Sequence, residues 1–131
     1  MAMAVETERY HWRRAQQNLH EAEHSGSAHD RSWRAYAAVE EALMALVSEP
    51  PKRYNLRNRL SDLVSLLPID VPQDVLHDLS MVSYLESLPT HTADAGIYYQ
   101  EDSSRATEHL RAALRVTKWV QEQLEEKIKS N

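Results

Sequence analysis

Apolar residues recur at every third or fourth position through most of the chain, which is the period of buried helix faces; no strand pattern is found. Five helical segments follow. The first runs from about Val5 to His24, with Trp12, Ala15, Leu19 and Ala22 on one face, and Gly26 within Ser25-Gly26-Ser27 ends it. The second runs from about Asp30 to Ser48. It carries Trp33, Ala37, Leu43, Met44 and Val47, with a row of small residues at Ala35, Ala38, Ala42 and Ala45. Such a row lets a neighbouring helix approach closely. Pro50-Pro51 stops it.

The third segment is short, from about Leu56 to Leu67, with Asn55 as N-cap and Leu56, Leu60, Leu63, Leu66 and Leu67 as its apolar face. The fourth runs from about Val71 to Leu88. Asp70 with Gln73 reads as a variant capping box, and Val75, Leu79 and Val82 face inward. A loop from Thr90 to Asp102 leads to the last and longest segment, Ser103 to Ile128. There Ala106, Leu110, Ala113, Thr117, Val120 and Leu124 keep the spacing of a bundle seam. Leu114, Val116 and Trp119 widen that seam and suggest a second contact face. The fold class expected is all-α: one domain over residues 1–131, an antiparallel bundle of four to five helices with a long C-terminal helix.

Composition narrows the function classes. A chain of 131 residues buries enough surface for a real core. The net charge of −5 argues against broad, sequence-independent binding of nucleic acid. The absence of cysteine excludes disulfides, thiolate metal sites and thiol nucleophiles. No apolar run reaches the ~20 residues of a membrane span, and Met1 to Tyr10 lacks a signal-peptide core. A cytoplasmic protein without a membrane partner is expected.

Against that background a few groups carry candidate chemistry. His20-Glu21-Ala22-Glu23-His24 spells H-E-x-x-H. On a helix its histidines lie about 40° apart and could share a metal, with Glu21 as general base and His29 as third ligand. That defines a metal-dependent hydrolase reading; the alternative is a solvated helix end. Lys52, Arg53, Arg57 and Arg59 concentrate positive charge around Tyr54, just before and inside the third helix. Helix starts favour phosphate, so this cluster is a candidate nucleotide or RNA site; otherwise it is a solvated loop. Tyr98 and Tyr99, with His91 nearby, could stack on bases, bind a partner chain or fold back onto the bundle. Glu40 and Glu41 lie in an otherwise apolar stretch. Glu40 falls near the inward face, so an arginine or a tyrosine hydroxyl is expected as partner, in a structural salt bridge or at a ligand.

These residues together resemble the HEPN family (higher eukaryotes and prokaryotes nucleotide-binding domain), from about Arg9 to Leu124. Glu40-Glu41-Ala42-Leu43-Met44-Ala45 looks like the family's E-K-A-L-K-A pattern. Leu60-Ser61-Asp62-Leu63-Val64-Ser65-Leu66-Leu67 is similar to its short leucine-rich helix. Tyr84 followed by Leu88-Pro89 stands where many members have a tyrosine and then R-Y-P, and Ala106, Ala113, Trp119 and Val120 are similar to its last long helix. The departures are Met44 for the second lysine, and Ser87 and Leu88 for the arginine and tyrosine of R-Y-P. The ribonuclease pattern R-x4–6-H is not recognisable: after Arg57 and Arg59 the interval holds Leu63 and Val64. Arg13 and Arg14 precede His20 by the right count but on the wrong helix, and Arg14 points about 120° away from His20.

The resemblance implies a catalytically silent bundle that binds nucleotide or RNA, or acts as an interaction module. It also implies a homodimer and a nucleotidyltransferase-type partner, as in toxin–antitoxin pairs. No cofactor is expected. A purely structural accessory subunit remains the third reading.

Overall fold

The structure is a computed structural model that describes residues 2–47, 59–87 and 103–130. It contains α1 (Ala2–Glu23), α2 (Ala28–Leu46), α3 (Arg59–Ser65), α4 (Gln73–Ser83), a 3-10 turn at Tyr84–Ser87, and α5 (Ser103–Ser130). No strand occurs among the described residues. The architecture is the all-α bundle with a long C-terminal helix that the apolar spacing predicts, and among the described residues no helix is long and apolar enough to cross a membrane.

The helix ends depart from expectation in instructive ways. α2 begins at Ala28, not Asp30, because Ser27 adopts an extended backbone and its Oγ accepts the Asp30 N–H at 3.2 Å. That satisfies one donor of the first turn. Between α1 and α2, Gly26 does not adopt a left-handed conformation; the bend is held by Ser25, whose Oγ accepts the Ser27 N–H. The capping box expected from Asp70 and Gln73 does not form. Pro72, with φ −60° and ψ 153°, occupies the N-cap and offers no side-chain bond. Asn55 and Leu56 lie outside the described residues, and α3 is seen from Arg59 onward.

α2 is the central helix, packed on α1, α5, α3 and α4. Ala35, Ala38, Ala42 and Ala45 are all fully buried. Ala38 and Ala45 stand one turn beyond Arg34 and Glu41, both of which bond to α1, so the small side chains lie where α1 comes close. The direction of packing follows from cross-helix pairs. His11 with Glu41, and Glu21 with Arg34, make α1 antiparallel to α2. Lys127 bonds Glu8, so α5 also runs against α1 and therefore with α2. Asp78 with Arg115, and Tyr84 with Arg105, make α4 antiparallel to α5.

The core is built from Val39 and Leu43 of α2, Leu60 and Leu63 of α3, Val82 and Leu85, and Val116 and Val120 of α5, all fully buried or nearly so. Each such side chain contributes roughly 1.5–3 kcal/mol relative to its exposed state. Trp119 belongs to the same cluster. The second contact face read into α5 therefore shrinks: Val116 and Trp119 point into the core, and Leu114 alone of that group is exposed.

Candidate functional site

Much of the expected phosphate site lies outside the described residues: Lys52, Arg53 and Arg57, and likewise Tyr98, Tyr99 and His91. Arg59 is described, and it is engaged. Its Nη1 donates to Glu40 Oε2 at 2.8 Å, with both side chains mostly covered. The start of α3 also has an anion already: the Leu60 N–H donates to Glu86 Oε2 at 2.9 Å, and the Tyr36 hydroxyl donates to the same oxygen at 2.5 Å. Two carboxylates thus already engage Arg59 and Leu60, the described end of the expected phosphate site. Burial pushes the Glu40 carboxyl above its ordinary range, against the opposing pull of Arg59. Burial, then the bond to Glu86, pushes the Tyr36 hydroxyl far above its ordinary range. Both effects reflect charge held in a poorly solvated junction of α2, α3 and the 3-10 turn.

Glu40 thus has the arginine partner expected of it, and Glu41 is paired as well. His11 Nδ1 lies 2.6 Å from its Oε2, and Arg14 Nε donates to its Oε1 at 3.1 Å. These contacts tie α1 to α2.

The H-E-x-x-H residues end α1. The rings of His20 and His24 stand side by side, 4.3 Å between centroids, but His24 Nδ1 is turned to the His20 carbonyl at 2.8 Å. Glu21 is bonded to Arg34, and His29 lies on α2 against Trp33. Among the described residues no group of three His, Asp or Glu is arranged to hold a metal ion.

An open groove of about 350 Å³ lies between α4 and α5, lined by Met81, Tyr84, Arg105, Glu108 and His109. Arg105 lies over the Tyr84 ring, 5.2 Å from its centroid, and both are exposed. His109 forms part of the floor and is buried. Its Nδ1 is 3.0 Å from Ser32 Oγ on α2. Ser32 is fully buried, so this pair anchors a ring and does not present a serine nucleophile to substrate. Below the groove, Asp78 accepts two bonds from Arg115, at 3.0 and 2.8 Å, which clamp α4 to α5.

This groove shares one end of the bundle with the last residue of the basic cluster. Leu60 bonds Glu86, two positions beyond Tyr84, and Tyr84 bonds Arg105. Of its residues, sequence reasoning marked only Tyr84. The signal for the rest was a histidine set between Ala106 and Ala113 on the seam, one turn after an arginine. Compared with protein-family models, curated proteins and solved structures, the chain matches none.

Proposed function

We propose that this chain is a HEPN-like helical bundle that binds a nucleotide or RNA without cleaving it, and that the ligand enters the α4–α5 groove. The observation that carries this reading is the guanidinium of Arg105 lying over the exposed ring of Tyr84 at the groove mouth. An arginine beside an aromatic face suits a phosphate next to a stacked base. Glu108 at the rim and the net charge of −5 restrict binding to this local geometry and oppose a long run of backbone contacts. The start of α3 contributes less than its sequence suggested, since Glu40 and Glu86 already engage Arg59 and Leu60 there. The homodimer, the nucleotidyltransferase-type partner, the toxin–antitoxin setting and the cytoplasmic location rest on the family resemblance and the sequence, and are part of the same proposal.

The test is fluorescence anisotropy of a labelled single-stranded RNA, repeated across salt concentrations. Arg105→Ala and Tyr84→Ala should each weaken binding about tenfold. Arg105→Ala should also flatten the salt dependence. Unchanged affinity in both variants sinks the groove reading. Loss confined to Arg57→Ala with Arg59→Ala would move the site to the basic cluster.

A further inference from the structure

From Leu60 to Ser104 the sequence contains neither lysine nor arginine, although the chain as a whole has 15 of them. The α3–α4 corner is the described part of this stretch that combines exposed apolar side chains with uncompensated charge. Leu66 and Ile69 are 44% and 38% exposed and lie three positions apart in this corner. Asp62, Asp70 and Asp74 belong to the same α3–α4 segment, the last two exposed. None of the three makes an ion pair among the described residues. The next acid along, Asp78, is the contrast: it is buried and held by Arg115 of α5.

We propose that the α3–α4 corner is a docking surface for a partner protein's short amphipathic segment bearing lysine or arginine beside leucine-like side chains. Apolar contact with Leu66 and Ile69 supplies the affinity. The carboxylates select a cationic partner and speed its arrival, while an acidic segment is repelled. The carboxylates also oppose a phosphate backbone, which disfavours nucleic acid at this corner. This surface is therefore separate in chemistry from the α4–α5 groove, and either proposal can fail alone.

The experiment uses the full chain and two synthetic helical probe peptides of equal length, one patterned with Leu and Lys, the other with Leu and Glu. Binding is read by anisotropy. The lysine peptide should bind and the glutamate peptide should not. Asp70→Lys should weaken the lysine peptide about fivefold, whereas Glu23→Lys, the same charge change on exposed α1, should leave it unaltered. Leu66→Ser with Ile69→Ser should weaken it about tenfold, with unchanged helical circular dichroism as the folding control. Equal binding of the two peptides overturns the proposal. So does equal loss in Asp70→Lys and Glu23→Lys, or self-association of the chain that Leu66→Ser with Ile69→Ser abolishes.

Discussion

Arg59, the first described residue of α3, gives its guanidinium to Glu40 of α2 at 2.8 Å. The pair joins two helices separated in the chain by residues 47–58 and sits in a junction that also holds Glu86 and Tyr36. Its consequence is a defined pH dependence. Burial raises the Glu40 carboxyl in the folded protein, so the folded state holds the proton more tightly than the unfolded chain. The stabilisation linked to that proton is fully present below the unfolded carboxylate range and is lost as pH rises through the folded value. Thermal unfolding of wild type and Glu40→Gln from pH 4 to 7 checks this. Wild type should lose stability relative to Glu40→Gln as pH rises. A gap that widens in favour of wild type contradicts the assignment.

Glu86 of the 3-10 turn reaches across to the first described turn of α3. It accepts the Leu60 N–H, in the first described turn of α3, and it accepts the Tyr36 hydroxyl as well. Tyr36→Phe should cost about 1–2 kcal/mol in urea unfolding, because it removes one bond to a carboxylate that stays part-buried. Glu86→Ala should speed hydrogen exchange at the Leu60 amide more than at amides of α2. Equal protection in both variants would show that α3 holds its start by other means.

Asp78 and Arg115 test the clamp between α4 and α5. Asp78 is buried, while Arg115 is about half exposed (54% for its side chain). Water screens part of the attraction, so Arg115→Ala should cost about 1–2 kcal/mol, less than a fully buried pair. Much of that cost is the carboxylate left without its cation. The double variant Asp78→Ala with Arg115→Ala should therefore be less destabilised than the sum of the single variants. Strict additivity in chemical denaturation would mean the two side chains do not act as a pair.

The parts of this fold that were legible in the sequence are those set by local period. The fully buried Ala35, Ala38, Ala42 and Ala45, and the seam through Ala106, Ala113 and Val120, follow directly from spacing. Glu40 was legible as a carboxylate needing a partner, because its position on the helix face implied burial. What spacing could not supply was which distant residue would answer it. Arg59 reads the same whether it faces solvent or a carboxylate nineteen positions earlier. Glu86 reaches Leu60 across twenty-six positions, and nothing local to either residue signals it. His109 lay in plain view on the seam, but a polar residue there resembles an interruption of the core until Ser32 is seen beneath it. The missing capping box failed for a local reason: Pro72 occupies the position the pattern assigned to Asp70.

Trp119 and Leu114 separate the core role of α5 from any surface role. Trp119 is 9% exposed and belongs to the cluster that includes Val39, Leu43 and Val120, whereas Leu114 is 39% exposed on the outer side of the helix. Trp119→Ala should cost about 3–5 kcal/mol, the range for removing a large buried aromatic. Trp119→Glu adds a buried unpaired charge and should leave the chain unfolded. Leu114→Glu should change stability by no more than about 0.5 kcal/mol, since its side chain already faces water. Circular dichroism melts give the stability order, and sedimentation gives the association state. If Leu114→Glu stays folded but converts a dimer to a monomer, the outer face of α5 lies in that dimer's contact. If it stays folded with its association state unchanged, Leu114 lies outside any contact between copies.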